Sequence, residues 1–275
     1  MDLFQSIILG ILQGLTEFLP ISSSGHLLFV PAILGWDDPG AAFTAVIQLG
    51  TEAAVLIYFR QDLWNIARTW LLSLRRPELR GELNARMGWY LIVATIPISI
   101  LGLAFQDQIE TAARNLWLVG SMLIIFGLVL GRADRVGTHS RDVGQLSFRD
   151  GAIIGLAQSL ALIPGVSRSG ATISAGLFLG LNREAAARFA FLLAIPAVVL
   201  SGFYELYKLL SGKEHFDEPM INIAVATVVA FIVGYAVIAW FLRYLTSHSM
   251  AAFVWYRVLV GAGVLILTAA GLISV

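Results

Sequence analysis

Two short stretches of this chain carry residues whose types and spacing could do chemistry. The first is QGLTEFLPISSSGH, Gln13 to His26, which sets Glu17, three consecutive serines and a histidine inside an apolar run. The second is PGVSRSGAT, Pro164 to Thr172, which carries Ser167, Arg168, Ser169, Gly170 and Thr172. An acidic residue at the centre of a membrane helix costs roughly +3 kcal/mol, so a carboxylate there marks a functional site by default. Hydroxyls and backbone amides at a helix start make a cradle for an anion, and arginine adds a planar fork suited to phosphate oxygens. A base, a hydroxyl, a guanidinium and two sets of amides converging at membrane depth imply phosphoryl transfer on a lipid.

Within the first stretch, Ser22 and Ser24 read as helix caps, the usual role of serine after proline, with the Gly25 amide beside them. Ser23 lies between these caps and three residues before His26, so one turn of helix would bring hydroxyl and imidazole together. Gln13 is either an amide ligand or a helix-packing hydrogen bond. Glu52 is a further charge inside an apolar run and would pair with Arg168 or Arg188, orient a metal or line the cavity. His139, His215 and His248 fall in polar segments and read as solvated.

The elements that must position these residues follow from composition and hydropathy. With 58% hydrophobic and 13% charged residues and mean hydropathy +0.81, the chain lies outside the range of a soluble domain and reads as an all-α polytopic membrane protein. A net charge of +0 without a long basic run excludes nucleic acid as a partner. The absence of cysteine excludes disulfides, thiolate nucleophiles and thiolate metal sites. No basic segment precedes the first apolar run, so no cleavable signal peptide is expected. Residues 3–19 end at Pro20, and residues 27–34 are too short for a span that needs about 20 residues, so together they predict a re-entrant pair. Spans are expected at 41–59, 87–105 and 116–131. The segment from Arg60 to Arg86 carries six arginines and reads as surface, and a short turn with Asp107, Glu110 and Arg114 joins the second and third spans.

The pattern then repeats. An offset of 145 residues superimposes Gln13 on Gln158, Gly10 on Gly155, Ser22 on Ser167, Ser24 on Ser169 and Gly25 on Gly170, and weaker matches include Ala41 with Ala186. The second copy predicts a re-entrant pair at 151–163 and 170–181, then spans near 185–209, 221–242 and 253–274. Repeat 1 covers about 1–131, a cytoplasmic linker about 132–149 and repeat 2 about 150–275, all in one membrane domain. Three spans per copy is an odd number, so the copies must have inverted topology, as in folds that bring two broken helices together near the midplane. Arginines at 60–86, 132–149 and 243 fall on one side, which the positive-inside rule makes cytoplasmic. Asp37, Asp38, Asp107, Glu110, Glu214, Asp217 and Glu218 fall opposite. The first turn then faces outward.

These two stretches, with IQLG at Ile47 to Gly50 between them, resemble the bacitracin-resistance family of undecaprenyl pyrophosphate phosphatases, and the resemblance covers essentially the whole chain. It implies a hydrolase of the bacterial plasma membrane that dephosphorylates undecaprenyl pyrophosphate and recycles the lipid carrier for peptidoglycan and other envelope polymers. It implies Ser23 and His26 as a catalytic pair, Glu17 as essential acid and Arg168 as the phosphate-binding arginine, with Ser167 and Thr172 in the same loop. Ser23 would attack the terminal phosphorus with His26 or Glu17 as base, and a phosphohistidine at His26 is the alternative. The family's first motif places an acid or glutamine four residues before a glutamate; here these are Gln13 and Glu17, so one carboxylate stands where relatives carry two. A divalent cation, Mg²⁺ or Ca²⁺, is implied by the resemblance, with Glu17 as its ligand. The expected partners are a polyprenyl pyrophosphate lipid and the bilayer, and a homodimer is allowed for. Two other readings stay open: a polyprenyl-phosphate transporter or flippase, and an acid-phosphatase-like lipid phosphatase. The latter requires a later histidine with an aspartate four residues on, a spacing that His215 and His248 lack.

Overall fold

A computed structural model describes residues 1–38, 40–113, 115–211 and 218–274. Arg114, Glu214, His215 and Asp217 lie outside the described residues, as do the side chains of Ala41, Asp107 and Glu110. The architecture is helical. Among the described residues, four helices are long and apolar enough to cross a membrane: α5 (Leu83–Ala104), α7 (Leu116–Val136), α11 (Met220–Leu245) and α12 (Ala251–Ala269). A fifth candidate is a bent pair, α3 (Gly40–Tyr58) and α4 (Arg60–Arg75), whose axes turn by 72°. This is the pattern of a polytopic membrane protein. The longest helix is α10 (Arg183–Leu210), which contains Pro196.

The two re-entrant pairs predicted at the head of each half are short helices meeting at turns. In the first, α1 (Leu3–Phe18) and α2 (Ser23–Leu34) flank the turn. In the second, α8 (Phe148–Ser159) passes through a 3-10 segment at Leu160–Leu162 before α9 (Arg168–Phe178). Both incoming arms stop for the same reason: a residue before proline is pushed out of the helical region, and Leu19 (φ −69°, ψ 144°) and Ile163 (φ −84°, ψ 120°) are extended. Their starts are capped, α1 by Asp2 with Gln5 and α8 by Ser147 with Asp150, each a reciprocal capping box.

Packing exchanges partners between the halves. Helix α1 lies against α11 at Gly10, where a side chain would put its Cβ 2.5 Å from the Ala226 carbonyl oxygen. Helix α8 lies against α5 at Gly155, where a Cβ would sit 2.4 Å from the Ala94 Cα. Small residues that admit a neighbouring backbone are how helices pack where no hydrophobic force drives them together. The largest buried apolar cluster gathers Ile173 and Leu177 of α9, Phe189, Phe191 and Leu193 of α10, and Ile238 and Phe241 of α11. It also takes in Phe18 and Ile21 beside the first turn.

Several boundaries differ from expectation. The arginine-rich surface segment begins as the amphipathic α4, whose Ile66 and Ser73 are buried while Trp64 and Leu71 are exposed. The joining turn is itself helical, α6 (Gln106–Ala113). Helix α7 continues past residue 131 into the polar linker because Asp134 there is anchored: it accepts from Arg183 Nε at 2.6 Å and from the Met250 amide at 3.0 Å. Helix α12 stops at Ala269, short of 274, where Gly271 turns left-handed at φ +68°.

Candidate functional site

The two turns meet. Ser169 Oγ of the second donates to the Leu19 carbonyl of the first at 3.0 Å, and Arg168 forms an ion pair with Glu17 across the junction. Ser23 Oγ donates to Glu17 Oε2 at 2.7 Å, and Gln13 Nε2 donates to the same oxygen at 3.1 Å and to Thr51 Oγ1 at 3.3 Å. Glu17 is thus the hub, with guanidinium, hydroxyl and amide all pointing at one carboxylate.

Each turn carries a serine in the left-handed region, Ser22 at φ 75° and Ser167 at φ 74°. Such a backbone costs about 1–3 kcal/mol per residue outside glycine and gathers at functional sites. The hydroxyls are also paired alike, Ser22 with Ser24 at 3.3 Å and Ser167 with Ser169 at 3.1 Å. The caps differ. Ser167 Oγ accepts from the Gly170 amide at 3.1 Å, whereas Ser22 occupies the cap position of α2 without a side-chain cap bond. The orphan amides that any helix start presents are therefore not closed off by Ser22, and the expected cap role falls to Ser167 alone.

A cavity of about 590 Å³ opens on this junction. Glu17, Ser22, Ser23, Ser24, Ser167 and Arg168 line its polar end, and Ile98, Leu103, Leu162 and Leu200 line its apolar wall. A second space of about 20 Å³, enough for one water or one small ion, lies among Glu17, Thr51, Glu52, Arg168 and Ser169. Glu52 thus faces the same junction as Arg168. Arg188, the other partner considered for Glu52, is paired elsewhere: its Nη2 donates to both Asp62 oxygens at 2.8 Å, and it lies over the Phe59 ring.

The structure does not bring His26 to Ser23. The ring is buried, with Nδ1 2.8 Å from the Ser22 carbonyl and Nε2 2.7 Å from Tyr256 Oη. A carbonyl can only accept, so Nδ1 carries the proton and Nε2 is left to the tyrosine hydroxyl. The Tyr256 ring stacks on it at an interplanar angle of 7°. Their partners explain the departure: Ser23 opens α2 with its hydroxyl on Glu17, whereas His26, one turn on, is held by the Ser22 carbonyl and by Tyr256 of α12. Thr172 is likewise turned inward, buried, with its hydroxyl on the Arg168 carbonyl at 2.8 Å. Gly25 is buried within α2 against Val119. Of the histidines expected to be solvated, His248 is exposed and stacks on Tyr244, while Nε2 of the partly buried His139 lies 2.8 Å from the Asp134 carbonyl.

One residue of the site region escaped sequence reasoning. Arg257 of α12 is fully buried and bonds to carbonyls of both turns. The signal was present, because it is a charge inside an apolar span just as Glu52 is; its partners are backbone carbonyls, which no motif announces.

Among the described residues no group of three or more histidines, cysteines or carboxylates could cage a metal. Glu17 and Glu52 with the small space between them form a lesser donor set. It fits a hard cation that takes one or two carboxylates from protein and the rest from substrate phosphate.

Comparison with known proteins identifies the family. The family model described as bacitracin resistance protein BacA matches residues 6–263. An undecaprenyl-diphosphatase of Nocardioides sp. is 58% identical over 99% of both chains. One of Mycolicibacterium smegmatis is 56% identical over 100% of this chain and 99% of its own. One of Thermobifida fusca is 54% identical over 100% of this chain and 93% of its own. With the match running from α1 into α12, this chain belongs to the bacitracin resistance protein BacA family.

Proposed function

We propose that this chain is an undecaprenyl-diphosphatase, hydrolysing undecaprenyl pyrophosphate to undecaprenyl phosphate and orthophosphate. The observation that carries this reading is the convergence of Glu17, Ser23 and Arg168 at the polar end of a cavity with an apolar wall. That shape fits an amphiphile with an anionic head, and relatives at 58% and 56% identity carry the name. Arg168 takes oxygens of the terminal phosphate in exchange for part of its bond to Glu17. Glu17, already accepting from Ser23, takes its proton as Ser23 Oγ attacks the terminal phosphorus. The Oγ–P bond forms, the bridging P–O bond breaks, and undecaprenyl phosphate departs with the bridging oxygen. That oxygen takes up the proton from Glu17; water then hydrolyses the phosphoserine, giving Glu17 a proton that returns to Ser23 Oγ as the O–P bond breaks. His26, engaged by Ser22 and Tyr256, holds the first turn rather than attacking. Glu17 and Glu52 would hold a divalent cation, Mg²⁺ or Ca²⁺, which supplies charge neutralisation on the phosphates when bound.

The setting is a bacterial plasma membrane, where the product re-enters use as lipid carrier for peptidoglycan. Two inverted repeats are supported by the exchanged packing of α1 on α11 and α8 on α5, and by the matched serines of the two turns. The arginine bias supports a cytoplasmic linker and a site facing outward. The same paired turns favour a lipid-phosphate carrier as second reading. Purified protein in liposomes separates the two: stoichiometric orthophosphate and undecaprenyl phosphate identify the enzyme. Movement of labelled undecaprenyl phosphate across the bilayer, with no orthophosphate released from the pyrophosphate, overturns it.

A further inference from the structure

Arg257 is fully buried and, among the described residues, has no carboxylate partner. Its guanidinium is instead divided among backbone carbonyls. Nη1 donates to Pro20 at 3.0 Å in the first turn, and Nη2 donates to Gly165 at 2.9 Å and Val166 at 3.0 Å in the second. Nε donates to Leu123 at 3.1 Å and Nη2 also reaches Met122 at 3.3 Å, both on α7. Burying a charge without a counter-charge is expensive, so packing alone does not account for arginine here. What a guanidinium offers is five N–H donors in a fixed plane, able to serve several carbonyls at once. The carbonyls it serves suit a cation: Pro20 lies just beyond the end of α1, and Gly165 and Val166 lie just beyond the 3-10 segment, where chain ends leave unpaired carbonyls and a partial negative charge. The same group abuts the start of α9, where a Cβ on Gly170 would lie 2.8 Å from Nη1.

We propose that Arg257 is a positioning residue for phosphate release: it fixes one turn against the other, and so sets Arg168 at its working distance from Glu17 and Ser23, without itself touching substrate. This rests on those three residues being the site. A displacement of 1 Å in such a constellation can cost about 100-fold in rate. Arg257→Lys keeps the charge but loses the fork. It should lower kcat about 100-fold, leave KM for the lipid within about twofold, and cost little further when combined with Arg168→Lys, because the residue it places is already displaced. Wild-type kcat in Arg257→Lys, or losses that multiply independently in the double variant, would overturn the proposal. If Arg257→Lys does not fold, Gly170→Ala decides by the same kcat, KM and double-variant measurements, since it pushes the guanidinium aside while retaining it; wild-type kcat there also overturns the proposal. Arg168→Ala run in parallel separates the two ideas: if it too releases phosphate normally, the site reading has failed and not only the role of Arg257.

Discussion

Glu17 accepts from three donors, and each limits what it can do. The ion pair with Arg168 holds the arginine at the cavity, while the 2.7 Å bond from Ser23 aims the serine proton at the carboxylate. Glu17→Gln preserves shape but has no charge for Arg168 and cannot take the proton. Its kcat should fall by about 10²- to 10⁴-fold, the usual worth of a positioned base, with an unchanged melting temperature in detergent. His26 invites a different experiment, because its bond to Tyr256 is a support and not a reaction coordinate. Tyr256→Phe should cost about 1 kcal/mol of stability and leave kcat within a few-fold. A loss as deep as that of His26→Ala would place chemistry on the imidazole. The charged motif residues stood out in the chain, as glutamate and arginine are rare at membrane depth. The direction His26 faces did not, since its partner lies 230 residues away.

At the scale of elements, the turns are where sequence and structure agree best, because proline and the Ser-x-Ser-Gly pattern act through local backbone sterics. Leu19 and Ile163 are extended for reasons their own neighbours supply. The helical state of α4 and the extension of α7 to Val136 depend on contacts made far along the chain, such as Asp134 with Arg183, which no local pattern encodes. Close approach at Gly10 makes α1 intolerant of size: Gly10→Val should destabilise by at least about 1–3 kcal/mol, seen as a lower melting temperature, with Gly263→Val, where a Cβ would meet nothing within 4 Å, as control. The linker can be tested by pH. Burial raises the Asp150 carboxyl, but hydrogen bonds from Arg141 and Ser147 and the arginine's charge outweigh it and hold the group below the usual carboxylate range. A depressed folded-state pKa stabilises above the unfolded value and loses that stabilisation as pH falls through the folded one. Asp150→Asn should therefore melt lower than wild type at pH 7, and the difference should shrink below about pH 4.

For the whole molecule, the inverted arrangement makes a claim about sides. The chain has no cysteine, so single cysteines can be introduced at positions 80 and 140. Both should react with an impermeant thiol reagent from the same face of sealed vesicles; labelling from opposite faces would remove the inverted-repeat topology. In the proposed site neither half suffices: the first supplies carboxylate and hydroxyl, the second the guanidinium, and Arg257 of α12 bonds to carbonyls of both turns. The matched serines of the two turns were readable because they recur at one offset, whereas the bonds from Arg257 were not, because they go to main-chain carbonyls. The most direct measurement is orthophosphate release from undecaprenyl pyrophosphate by purified wild type, Glu17→Gln, Ser23→Ala and Arg168→Ala. The predicted result is release by wild type and a loss of about 10²-fold or more in every variant, each folded as judged by melting; near wild-type release from folded Glu17→Gln or Arg168→Ala would contradict a single phosphate site shared between the turns.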